Sequence, residues 1–194
     1  MRQASARVRQ RNEARRLEIL RAAARVFRRR GIAAAGMREI ADEAGLSPGN
    51  LYHYFSGKDE ILLFCQERSL ERMQAAVEAA RGSAAERLHA VLRAHVRSLL
   101  DELEGATAHL DVEALPARMR AKVIAKRDAY ERAVRALVAE GMKRREFARG
   151  DAALVTRAML GAVNWTARWY RPDGPQGVDE IADGLADYLV KGLT

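Results

Sequence analysis

Between Ser47 and Lys58 the chain places Asn50, Tyr52, His53 and Tyr54, a run of amide, phenol and imidazole side chains bracketed by a hydroxyl and an ammonium. Together these types offer recognition, because they exchange hydrogen bonds with base edges and donate to phosphate oxygens. The elements that must position them are legible in residues 38–64. Ile40, Ala41 and Ala44 form the apolar stripe of a short helix, which Gly45 ends by supplying a positive φ. Ser47 then stands as an N-cap and Pro48 as the first residue of a second helix. Gly49 and Asn50 lie in its first turn, where the backbone can approach a nucleic acid closely. Leu51 and Phe55 point to the core, which leaves Tyr52, His53 and Tyr54 facing outward. Ser56 with Asp59 reads as a capping-box variant opening a third helix, with Lys58 beside its N-terminus.

Two short helices joined by a glycine turn are the grammar of a helix-turn-helix. On this reading Asn50, Tyr52 and His53 meet base edges or nearby phosphates. Tyr54, Lys58 and the Ser47 hydroxyl meet the sugar-phosphate backbone, and Arg38, Pro48 and Gly49 belong to the same surface. For Tyr52 the alternative is a ring packed on the core with only its hydroxyl showing.

Charge points the same way. Residues 1–58 carry 13 lysines and arginines against 5 acids, and the rest of the chain is balanced, so the whole net charge of +8 resides in this segment. A basic excess coinciding with a helix-turn-helix is the footprint of a surface that displaces counterions from phosphates. Residues 1–12 read as a flexible basic arm that lies along phosphates or in a minor groove, or serves only solubility.

The residues Ile40-Ala41, Ala44-Gly45-Leu46-Ser47, Gly49, Leu51-Tyr52, Tyr54-Phe55 and Lys58 resemble the N-terminal signature of the TetR family of bacterial transcriptional repressors. The resemblance implies an all-α fold: a three-helix DNA-binding domain, here 13–58, followed by a helical ligand-binding and dimerisation domain, here 59–194. It also implies a homodimer on a near-palindromic double-stranded operator, joined through the last two helices in a four-helix bundle and released by a small-molecule inducer. One position departs from the pattern. Met37 stands where such proteins commonly carry a Thr or Ser that caps the first short helix, so that cap must be weaker here or come from elsewhere.

Helical periodicity continues to the C-terminus. An opening helix over 12–30 has the stripe Ile19, Ala23, Val26 and Phe27 and stops at Gly31. A long helix over 58–81 links the two domains. Ser83 with Glu86 is a capping box for a helix reaching Leu103, and a short helix over 107–115 follows. Further helices run from Pro116 to about Gly141, from the Asp151 cap to about Tyr170, and over 178–193. The last two carry surplus apolar side chains, Leu154, Met159, Leu160 and Val163 on one and Ile181, Leu185, Leu189, Val190 and Leu193 on the other, which a symmetric partner could bury.

The ligand site is read from His95, His109, Tyr130, Asn164, Trp165 and Arg168. Residues 164–172 place two Trp, a Tyr and two Arg at one helix end, suited to an anionic ligand with an apolar or planar part. This ending also resembles that of TetR-type repressors of acyl-CoA, steroid and fatty-acid breakdown, which implies an acyl-CoA thioester as inducer. Another hydrophobic metabolite or drug is the alternative, and the aromatic cluster reads equally as dimer interface. A ligand-blind architectural DNA-binding protein is the runner-up for the whole chain. His95, His109 and Asp111 lack the spacing of a helical metal pair, no cofactor motif is present, and no nucleophile elbow, phosphate loop or His-Glu-x-x-His marks an enzyme. The lone Cys65 reads as a core thiol rather than a redox sensor. No apolar run spans a bilayer, and the expected location is the cytoplasm.

Overall fold

Polar caps and glycine turns set the helix boundaries. The computed structural model describes residues 2–101 and 115–194, and among these there are eight helices and no strand: α1 (Arg2–Ala34), α2 (Met37–Glu43), α3 (Pro48–Tyr52), α4 (Lys58–Ala79), α5 (Ala84–Leu100), α6 (Ala117–Arg144), α7 (Ala152–Trp169) and α8 (Val178–Lys191). They form two compact units, Met1–Cys65 and Gln66–Thr194, whose boundary falls inside α4 rather than at its start. The helix expected over 107–115 lies outside the described residues, apart from Leu115.

In the first unit α1 begins at Arg2, so the segment expected as a flexible arm is helical. No glycine or proline interrupts Arg2–Arg30, and Ala, Arg, Gln and Glu all favour helix. Gly31 (φ 76°, ψ 156°) breaks the helical geometry where the stop was expected. Ile19, Ala23, Val26 and Phe27 are buried with Ile40, Ala41, Leu51, Phe55 and Ile61 in one core. Glu43 pins α2 to α1 by accepting from Arg25 Nε and Arg29 Nη2, both at 2.6 Å, and Arg30 Nε reaches Glu39 at 3.0 Å. The Arg25 and Arg29 hydrogen bonds hold the Glu43 carboxyl below the usual carboxylate range.

α4 is capped differently from the expectation. The Ser56 backbone N–H and hydroxyl both donate to Glu60, at 2.7 and 2.8 Å, so Glu60 rather than Asp59 closes the motif. The helix starts one residue later than a capping box at Ser56 would require. Inside it Cys65 is fully buried.

In the second unit α5 packs on α6, α7 and α8, and α6 on α7. Leu88, Val91, Leu92 and Val96 of α5 meet Val123, Val134 and Val138 of α6, Val163 of α7 and Ala182 and Ala186 of α8 in the buried core. The Ser83–Glu86 capping box and the Asp151 cap are both formed. Arginines tie α5 to α8: Arg93 pairs with Asp183 and Asp179, Arg97 with Asp179, and His89 Nε2 lies 3.0 Å from Asp187. Pro116 is the N-cap of α6 rather than its first helical residue.

α6 also passes through Gly141 and ends at Arg144, with Arg145 in the left-handed region (φ 63°). Gly141 is not the stop that it resembles in sequence; it is buried because the Phe147 ring occupies the space a side chain would fill. In an open helix Gly→Ala stabilises by about 1 kcal/mol. Here Gly141→Ala should destabilise by roughly 1–3 kcal/mol through overpacking, read as a lower urea midpoint; a raised midpoint would mean that Phe147 yields freely.

Candidate DNA-reading surface and ligand cavity

The turn between α2 and α3 is closed by two backbone bonds, Gly45 N–H to Asp42 O at 3.1 Å and Leu46 N–H to Ala41 O at 2.9 Å, with Gly45 at φ 63°. This is a Schellman ending, and the left-handed residue at its centre favours glycine. The Ser47 hydroxyl accepts from Asn50 N–H at 3.3 Å and Pro48 occupies the first helical position, so α3 begins as its sequence demands. At the start of α2, Gly36 is the N-cap and makes no side-chain cap, which is how the departure at Met37 resolves. Leu51 and Phe55 are buried and anchor α3 from below.

That anchoring turns a set of polar groups to solvent. Arg38, Ser47, Pro48, Gly49, Asn50 and His53 are exposed, and Tyr54 is half-buried. Tyr52 is 54% exposed, so its ring is not a core residue. Lys58 behaves otherwise. Its Nζ donates to the carbonyls of Ile32, Ala33 and Ala35 at 2.6, 3.0 and 3.3 Å, closing the chain beyond Gly31. All three ammonium hydrogens thus have backbone acceptors, where a phosphate contact was expected. Arg16 is similarly engaged, its guanidinium lying 4.5 and 4.3 Å from the ring centroids of Phe55 and Phe64.

The second unit holds a cavity of about 420 Å³ between α4, α5, α6 and α7. Leu70, Met73, Leu99 and Leu160 give it an apolar side. Its polar side carries Arg127, Asp128 and Glu131 of α6 and a chain of neutral groups. Tyr130 Oη lies 3.2 Å from His95 Nδ1, with the two rings edge to face, and the Asn164 side chain bonds the same imidazole. Burial pushes the His95 pKa down to about 4, only partly opposed by the Asn164 bond, and burial raises that of Tyr130. Near neutrality, therefore, Tyr130 keeps its proton and the imidazole is uncharged, so the Tyr130–His95 contact is a hydrogen bond between two neutral groups. Ser69 and Ser98 bond each other at 2.8 Å, and Arg127 Nη2 donates to Gln66 at 3.2 Å.

Of the expected ligand residues, the structure thus brings together His95, Tyr130 and Asn164. His109 lies outside the described residues. Trp165 and Arg168 are exposed and lie outside the described lining of the cavity, because the helical turn that aims Asn164 inward carries Trp165 about 100° round α7. Gln66, Ser69, Ser98, Arg127, Asp128 and Glu131 were missed. The available signal was polar residues on otherwise apolar stripes: Ser98 falls at the spacing of Val91 and His95 on α5, and Glu131 precedes the buried Val134 by one helical step.

The outer face of α7 and α8 follows the expectation in part. Met159, Val163, Ile181 and Val190 are buried within their own chain. Leu154 is exposed as expected and Leu160, Leu185, Leu189 and Leu193 are half-buried, and Trp165 (65% exposed), Trp169 and Tyr188 (74%) add to that apolar surface.

The depressed pKa of His95 has a measurable consequence. Between about pH 6.5 and 4 the unfolded chain takes up a proton that folded His95 refuses, so stability falls as pH is lowered through that window. Urea unfolding should show wild type losing on the order of 3 kcal/mol more across this range than His95→Gln; parallel profiles would mean that His95 titrates normally.

Two family models match the chain: "Bacterial regulatory proteins, tetR family" over residues 19–64 and "Tetracyclin repressor-like, C-terminal domain" over residues 81–193. The transcriptional repressor KstR2 of Mycobacterium tuberculosis H37Rv is 28% identical over 196 residues, covering 93% of each chain. The TetR-family regulator PfmR of Thermus thermophilus superposes with a TM-score of 0.82 at 34% identity, over 91% of this chain and 98% of its own. AibR, solved in complex with isovaleryl coenzyme A and operator DNA, shares the fold at a TM-score of 0.77 and 24% identity, over 91% and 98% of the two chains. These matches indicate no catalytic family, and with each unit covered in turn the chain belongs to the TetR family of bacterial regulatory proteins.

Proposed function

We propose that this protein is a ligand-responsive transcriptional repressor that binds a near-palindromic operator as a homodimer and is released by an acyl thioester entering the cavity. The observation that carries the reading is the composition of the cavity wall. Gln66, Ser69, Leu70 and Met73 stand on α4, the same unbroken helix that supplies Ile61 to the helix-turn-helix core. A ligand touching those residues acts on an element shared with the DNA-reading unit, and a cavity of about 420 Å³ is ample for a small effector.

Base edges are met by Asn50, Tyr52 and His53, and the backbone by Arg38, Ser47, Pro48, Gly49 and Tyr54. In the dimer the exposed Leu154, Trp165, Trp169 and Tyr188 are covered by the partner's same face, which supplies the second reading helix that useful specificity needs. The ligand selects a different separation of the two reading helices and lowers operator affinity by the ratio of its affinities for the two states. That KstR2 is a repressor supports the direction of control, and that AibR was solved with an acyl-CoA and operator DNA supports the effector class. The protein works in the cytoplasm.

Selection of genomic DNA fragments by the purified protein tests the first half of the reading. One enriched palindrome, eluted by CoA thioesters, is the expected outcome; salt-sensitive binding with no shared sequence would point to a ligand-blind architectural protein. Tyr52→Ala and His53→Ala should each weaken the selected operator by about 10- to 100-fold, the scale of a base contact, while sedimentation still shows dimers. Trp165→Asp with Tyr188→Asp should yield monomers in the same centrifuge, and an intact dimer would move the interface elsewhere.

A further inference from the structure

Within the effector reading just given, the charges around the cavity restrict the ligand. Its walls carry Arg127, Asp128 and Glu131, all on α6. Arg127 already donates to Gln66, and His95 is neutral when buried. Glu131 is different: Oε2 faces Arg135 at 3.8 Å, whereas Oε1 is buried without a hydrogen-bond partner among the described residues. A buried acceptor in that state is satisfied by a ligand N–H or O–H and opposed by a ligand carboxylate, whose oxygens bring it no proton.

We propose that the cavity takes an uncharged amphipathic ligand that donates an amide N–H or hydroxyl to Glu131 and lays its apolar part on Leu70, Met73, Leu99 and Leu160, and that it rejects the corresponding free acid. The discrimination is by repulsion as much as by attraction. The unpartnered Glu131 oxygen opposes the anion, while Asn164 and the Tyr130 oxygen offer further polar contacts to a neutral group. Two sources share this chemistry, the amide-bearing arm of a thioester and a hydroxylated lipophile.

Four probes of one chain length separate them: the octanoyl thioester of N-acetylcysteamine, octan-1-ol, methyl octanoate and octanoate, titrated calorimetrically into the full-length protein at pH 7.5. The amide or the alcohol should bind about tenfold or more tighter than both the ester, which lacks a donor, and the acid. Whichever of the two is tighter names the source. Glu131→Gln should narrow the gap between that donor and octanoate by about tenfold, and Asp128→Asn serves the same purpose where the first variant melts early. Octanoate binding as well as the donors, or an unchanged gap in the variants, overturns the proposal. So does silence from all four probes; if CoA thioesters still release the operator in that preparation, the repressor reading stands and only the ligand class assigned to this cavity falls.

Discussion

The constraint on which the rest depends is that α4 is one uninterrupted hydrogen-bonded rod. Lys58–Ala79 contains no glycine or proline, and its start is secured by the double acceptance of Glu60 from Ser56. A helix of 22 residues kinks sharply only where its ladder is broken. The same rod therefore has to bury Ile61, Leu62 and Cys65 in one unit and Leu70 and Met73 in the other. One helix is thus shared by both units, and it is the element on which the proposed coupling rests.

Charge in the first unit is divided between holding and reading. Arg25, Arg29 and Arg30 hold α2 through Glu43 and Glu39, Arg16 covers Phe55 and Phe64, and Lys58 bonds the carbonyls beyond Gly31. A net charge read from composition counts these groups as available to phosphates. The structure shows that several are committed internally, while Arg38 and the polar groups of α3 stay exposed. Exposed ion pairs of this kind contribute little each to stability. Their consequence is orientation, since α3 has only five residues and rests on α2 for its placement.

In the second unit polarity is concentrated where packing would otherwise be apolar. The Tyr130–His95–Asn164 chain satisfies its members mutually and remains uncharged, which keeps a buried imidazole tolerable. The membership of the unit in a family of regulators makes such a cavity meaningful, but its chemistry belongs to this chain: a neutral polar ridge, an apolar wall and two carboxylates on α6.

The local rules were sufficient wherever a boundary depends on neighbours in sequence. Ser47 with Pro48, Gly45, Ser83 with Glu86, and Asp151 each act over one helical turn, so these starts and stops are determined by residue type and spacing alone. The buried stripe of α1 and the inward direction of His95, Tyr130 and Asn164 follow likewise from helical periodicity. What tertiary structure decided involves distant partners. Gly141 continues α6 because Phe147 takes its space, Lys58 turns to carbonyls some 25 residues away, and Trp165 faces outward while Asn164 beside it faces the cavity. Composition reveals which side chains can bond or pack; only the packing of helices far apart in sequence assigns them their partners, because those contacts are set by distance in space.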